Sequence, residues 1–133
     1  MRTIKFRAKE LGTGEWVIGD LHILCTRPHI HNFLYNPDKK YIDMSTIGQF
    51  IGLHDKNGKE IYEGDFIRSF DSQGEPIIHA IEYENNDAQF IVVLAGYTKY
   101  DFGCGGITQK WINEFEKEVI GNIHDNPELL KQE

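Results

Sequence analysis

Long apolar runs are missing from this chain: no stretch approaches the roughly 18 apolar residues that a membrane-spanning helix needs, so no such span is expected. The opening Met1-Arg2-Thr3-Ile4-Lys5-Phe6-Arg7 lacks the apolar core and small-residue cleavage site of an export signal, and cytoplasmic residence is the expectation. Cysteine is scarce. Cys25 and Cys104 form no CxxC pair, and in a reducing compartment both are expected as free thiols. Positive charge is also in short supply, since 14 Lys and Arg against 21 Asp and Glu leave a formal charge of −7 and a pI near 5.3. Such a surface repels polyphosphate at long range, which weighs against non-specific nucleic-acid binding and leaves room only for a local basic patch. No segment repeats, and none is low in complexity.

Signatures of chemistry are absent as well. There is no local pairing of a nucleophile with a base and no closed metal-ligand spacing. Gly103-Cys104-Gly105-Gly106 lacks the Lys-Ser/Thr that follows a phosphate loop. His22, Cys25, His29 and His31 lie close in sequence and carry the ligand types of zinc, but the spacing matches no closed four-ligand pattern. They read as residues of a strand end and loop, with no metal and no cofactor expected. Asp55, Glu63 and Asp65 could form a divalent-metal cluster for phosphodiester hydrolysis. Acids around a glycine turn more often satisfy loop N–H groups, and that is the stronger reading.

What is present is an ordinary globular composition, 40% hydrophobic and 26% charged over 133 residues, in the size range of one domain. A single domain over 1–133 is expected, with 1–45 as a hairpin and loop and 46–133 as a barrel-like core. Thr3 to Lys9 alternates, with Ile4, Phe6 and Ala8 on one face and Lys5, Arg7 and Lys9 on the other. That basic face reads as solvated, with phosphate or acidic-partner contact as the functional alternative. Gly12-Thr13-Gly14 turns the chain into a strand from Trp16 to Leu24, with a bulge expected at Gly19. The segment from Cys25 to Pro37 reads as a loop before a short strand at Tyr41 to Met44.

The centre of the chain is the most informative stretch. Phe50 to Leu53 reads as a strand and Asp55-Lys56-Asn57-Gly58 as a tight reversal, because Asn-Gly accepts positive φ. Lys59 to Asp65 makes a wide turn that tucks Ile61 and Tyr62 inward, and Phe66 to Phe70 returns as the hairpin's second strand. Strands at Ile77 to Glu84 and Ala88 to Ala95 complete a meander. His79 lies on an apolar face, where a hydrogen-bonded core histidine is the expectation and a general base the alternative if that face lines a cleft. Tyr97, Tyr100 and Phe102 sit in a glycine-rich loop as a stacking or docking patch, or as a cover for one end of the sheet.

Ile107 to Phe115 reads as a short helix capped by Thr108, with Trp111 as its core anchor. Val119 to His124 is the last strand, with Gly121 at a close approach, and Asn126-Pro127 opens a terminal helical turn. The fold class is therefore mainly β (α+β): a partly open SH3-like antiparallel barrel with an N-terminal hairpin, one short helix and a C-terminal helical turn.

Three stretches together resemble the YopX family, small proteins of bacteriophages, prophages and their bacterial hosts. They are Ile4-Lys5-Phe6-Arg7-Ala8, then Gln49 to Arg68 (QFIGLHDKNGKEIYEGDFIR), then Glu118 to Leu130 (EVIGNIHDNPELL). The residues that mark it are Asp55, Asn57, Gly58, Tyr62, Glu63, Gly64, Asp65, Gly121 and Asn122. Lys9 and Glu10 stand where many relatives carry an aromatic and an acid. The resemblance implies a phage or prophage accessory protein and names no activity and no catalytic residue. The expected function is a non-catalytic interaction module with a protein partner, and homo-oligomers are compatible with its strand edges. Nucleic-acid binding through Lys5, Arg7 and Lys9 is the alternative, and a metal-dependent hydrolase is the third reading.

Overall fold

A computed structural model describes residues 1–24, 27–32, 36–97 and 105–130, of which 22–24, 27–32, 36–39, 105 and 115 are described by backbone alone. The described strands make two antiparallel sheets accompanied by one short helix, and they close no barrel. The chain divides into two compact units, Met1–Gly52 and Leu53–Glu133.

The first unit holds β1 (Phe6–Lys9), β2 (Trp16–Leu24), β3 (Arg27–Asn32), β4 (Asn36–Tyr41) and the start of β5 (Gly48–His54), in the order β4-β3-β2-β1-β5. Alternation produces its small core: Ala8 and Ile42 are buried, with Phe6, Val17, Leu21 and Ile47 packed against them. Between β4 and β5, Met44–Thr46 forms a single 3-10 turn whose entry is capped by Asp43, its carboxylate accepting the Ser45 N–H at 3.0 Å. Thr46 fastens that turn to β1, because its hydroxyl accepts the Lys9 N–H at 2.8 Å and donates to the Asp43 carbonyl at 2.7 Å.

Here the structure corrects the sequence reading. The segment expected as a loop carries two strands, β3 and β4, and Tyr41 ends a strand instead of opening one. Pro28 and Pro37 suggested a loop because each lacks an N–H, yet both sit where the loss is tolerated. Pro28 lies beyond the last β3–β4 pair, and Pro37 is in the edge strand β4. Nor is there a bulge at Gly19, which pairs in regular register with Phe6.

In the second unit, the Asp55 to Gly58 turn leads into β6 (Glu60–Tyr62), followed by β7 (Asp65–Phe70), β8 (Pro76–Glu84), β9 (Gln89–Leu94), β10 (Gly105–Gly106), helix α1 (Gln109–Asn113) and β11 (Glu118–Asn122). Its sheet runs β10-β9-β8-β7-β11, so the meander of β7, β8 and β9 is as expected. The central hairpin is not: β6 returns from the Asn-Gly turn, and β7 pairs with β8 and β11. Ile61 and Tyr62 do tuck inward as part of a short strand, and they join Phe66, Ile67, Ile81, Ile91 and Ile112 among the buried residues. Complete burial of a side chain such as Phe66 stabilises by about 1.5–3 kcal/mol.

Helix α1 begins where Thr108 was expected to cap it, the hydroxyl accepting the Trp111 N–H at 3.1 Å. Its core anchor is Ile112, fully buried, whereas Trp111 is only half-buried. A single five-residue helix does not turn two neighbouring positions onto one face, and the aliphatic side chain takes the inner one.

Candidate functional site

The marked residues of the second unit form a hydrogen-bonded lattice. Asp55 is buried at the turn, where its Oδ1 accepts the N–H groups of Asn57 (2.8 Å) and Lys59 (2.9 Å) and its Oδ2 accepts the Val119 N–H (2.9 Å). One carboxylate thus closes the turn and fastens it to β11. Burial pushes its pKa upward, but the three N–H donors and the nearby Lys59 charge outweigh that and hold it below the usual value of 3.8. Gly58 adopts φ +79° beside the exposed Asn57, whose amide nitrogen lies 3.4 Å from a Glu118 carboxylate oxygen.

Asp65 is almost wholly buried and accepts the Tyr62 N–H at 2.7 Å, closing the turn through the half-buried Glu63. Gly64 turns that corner at φ +92°, a conformation other residues enter at a cost. Its N–H donates to the Ile81 carbonyl and its own carbonyl accepts the Ile123 N–H, both at 2.9 Å. Asn122 organises the last turn: its Oδ1 accepts from the His124 and Asp125 N–H groups, and its amide nitrogen donates to the Asp125 carboxylate. A Cβ on Gly121 would stand 2.2 Å from Oδ1 of Asn126, the atom that accepts the Asn122 N–H. The close approach expected at Gly121 is therefore made by a side chain.

Away from this lattice, an open cleft of about 510 Å³ lies in the second unit. Phe70, Ile77, Val92 and Trp111 supply its apolar walls, and Ser69, Asp71, Ser72, His79 and Lys117 its polar ones. His79 meets Trp111 edge-on with ring centroids 5.5 Å apart, and its Nδ1 is buried with no hydrogen-bond partner among the described residues. A histidine satisfied by a hydrogen bond was expected; a ring contact stands in that place. Burial, and then the Lys117 charge, lower the imidazole pKa below 6.5, so the ring is neutral at pH 7.

Lys117 is buried with its Nζ 4.3 Å from the Trp111 ring centre and donates to the Trp111 and Glu114 carbonyls, both at 2.8 Å. Burial lowers its pKa, with the Glu114 charge acting in the opposite sense. Beside the cleft, Arg68 forms an ion pair with Glu118 and lies over the exposed Phe70. Sequence reasoning did not single out Phe70 or Lys117, since neither belongs to a local motif.

The basic face of β1 lies in the first unit, with Arg7 buried and Lys5 and Lys9 half-buried. Arg7 is buried with its guanidinium 4.7 Å from the Trp16 ring centre, the Lys9 ammonium lies 5.5 Å from that ring, and Lys5 lies 5.1 Å from the Phe50 ring. Tyr97 is half-buried just after β9, its N–H donating to the Leu94 carbonyl. Tyr100, Phe102, Cys25 and Cys104 lie outside the described residues. No group of three or more His, Cys, Asp or Glu able to hold a metal occurs among the described residues, and Asp55, Glu63 and Asp65 are not brought together as one. No helix among them is long and apolar enough to cross a membrane.

A mainly β chain of two antiparallel sheets with one short helix is the class these elements define. The sequence pattern of the family described as "YopX protein" matches residues 5–131. This chain belongs to the YopX family. In three dimensions it is similar to the crystal structure of protein EF1440 from Enterococcus faecalis, with a TM-score of 0.58 and 24% identity over 98% of this chain and 100% of that one. That likeness concerns the fold alone. No curated protein matches the chain.

Proposed function

We propose that this YopX-family chain is a non-catalytic accessory protein of a bacteriophage or prophage, acting in the host cytoplasm by engaging a protein partner through the cleft of the second unit. The cleft is the observation that carries this reading. Its size and ring-lined apolar walls, with polar groups beside them to orient an occupant, suit an anchor side chain of a partner, the kind of contact that dominates protein interfaces. Further support comes from the lattice, where the Asp55 and Asp65 carboxylates already accept backbone N–H groups instead of standing ready for proton transfer or metal binding.

The test is affinity capture from prophage-bearing bacterial cells with the wild type and with Phe70→Ser, a change at an exposed cleft residue that leaves the core intact. A host or phage protein retained by the wild type and lost with Phe70→Ser is expected. Salt-dependent retention of an oligonucleotide, abolished by neutralising Lys5, Arg7 and Lys9, would instead establish the nucleic-acid reading and refute this one.

A further inference from the structure

The walls of the cleft in the second unit are apolar, but the polar groups set among them decide what an occupant must carry. Lys117 is committed to its own loop, with Nζ donating to the Trp111 and Glu114 carbonyls at 2.8 Å and lying 4.3 Å from the Trp111 ring centre. Asp71 holds the β7–β8 turn, its Oδ1 accepting the Gln73 N–H at 2.8 Å and the Glu75 N–H at 2.9 Å. One cation and one anion thus border the same space, so a carboxylate occupant meets Asp71 and an ammonium meets Lys117. An uncharged group avoids both conflicts. Ser69 and Ser72 add hydroxyls, which donate or accept as required and therefore select nothing.

His79 does select. Its Nδ1 is buried with no hydrogen-bond partner among the described residues, whereas Nε2 is not sealed in and the ring lines the cleft. A neutral imidazole carries a single ring hydrogen, and a buried N–H without an acceptor is avoided more strictly than a buried lone pair without a donor. The hydrogen therefore belongs on Nε2, where the cleft is open to it. We propose that the anchor received by the cleft, on the reading that it engages a protein partner, is a tyrosine whose phenolic oxygen accepts a hydrogen bond from Nε2–H of His79. Its ring takes the place beside Phe70, Ile77, Val92 and Trp111, and its own hydrogen has the serine hydroxyls and the Asp71 carboxylate as acceptors. The other aromatic anchors fit less well. Phenylalanine leaves Nε2–H without an acceptor, and tryptophan brings an indole N–H, a second donor, to face it.

The experiment titrates the isotope-labelled full-length chain at pH 7 with the N-acetyl amides of tyrosine, phenylalanine and tryptophan, followed by NMR at the Trp111 indole N–H and the His79 ring nitrogens. The tyrosine amide is expected to bind about 5–10-fold more tightly than the other two, the effect of one added hydrogen bond. In His79→Phe, which keeps a ring against Trp111, that preference is expected to shrink to within ~2-fold, while Phe70→Ser weakens all three amides alike. Circular dichroism monitors folding. Should His79→Phe not fold, the wild-type imidazole decides alone: a hydrogen on Nε2, with a resonance that moves for the tyrosine amide and not for the phenylalanine amide, supports the proposal. A hydrogen on Nδ1, equal affinities, a preference that survives His79→Phe, or no binding of any amide up to its solubility overturns it. Capture of a partner that depends on Phe70, alongside amides bound without preference, refutes the tyrosine and leaves the cleft reading standing. A tyrosine preference alongside capture indifferent to Phe70→Ser removes the cleft reading, and the anchor with it.

Discussion

In the second unit, the carboxylates of Asp55 and Asp65 and the amide of Asn122 are enclosed and bonded to backbone N–H groups of their own turns and of β11. In the first unit, Lys5, Arg7 and Lys9 lie over the rings of Phe50 and Trp16, and Asp20 stands exposed on the same sheet. The contrast teaches where the family pattern acts. Its marked positions in the second unit are conformational requirements of turns, whereas the first unit keeps charged groups on a strand face. A family defined largely by turn chemistry can therefore be recognised without any activity being named.

The strongest way to break this comparison is Asp55→Ala. It leaves three N–H groups without their acceptor in a buried turn, and a loss of about 3–5 kcal/mol is expected in chemical unfolding. Gly121→Ala comes next. Its methyl displaces Asn126 from the Asn122 N–H, for a loss of about 1–3 kcal/mol by the same measurement. In the first unit, Trp16→Leu removes the ring shared by Arg7 and Lys9 at a cost of about 1–2 kcal/mol, because cation–ring contacts are individually modest. A first-unit loss exceeding that of Asp55→Ala would reverse the contrast.

The smallest effect sharpens it through pH. His79 has a folded-state pKa below its unfolded value of 6.5, so the unfolded chain binds the proton more readily. The stability this residue contributes is complete above about pH 6.5 and declines as pH falls below it. His79→Phe is expected to flatten the decline in Tm between neutral pH and pH 5, and an unchanged slope would contradict the assignment of a neutral imidazole. Asp55, held below 3.8, contributes stability that is complete well above that value and is lost progressively as pH falls through it toward the folded-state pKa.

Much of the second unit was legible because its turns carry their own chemistry: Asn57-Gly58 for positive φ, Thr108 for a helix cap, Asn126-Pro127 for a 3-10 turn. Strand partners were less legible, since pairing is decided by the whole sheet. The same turn that promised a hairpin between Phe50 and Phe66 delivers only β6, after which Gly64 turns the chain into β7. In the first unit, the prolines hid β3 and β4, and with them the alignment of His22 with His29. The cleft was hidden for a related reason, as Phe70, His79, Trp111 and Lys117 come from four separate elements or connections.

Amide hydrogen exchange at Val119, in the wild type and in Asp55→Ala, tests most directly whether the marked carboxylate serves the fold. Slow exchange in the wild type, accelerated many-fold at Val119, Asn57 and Lys59 together in the variant, is the predicted result. Exchange at these three amides that is equally slow in both proteins would contradict the account.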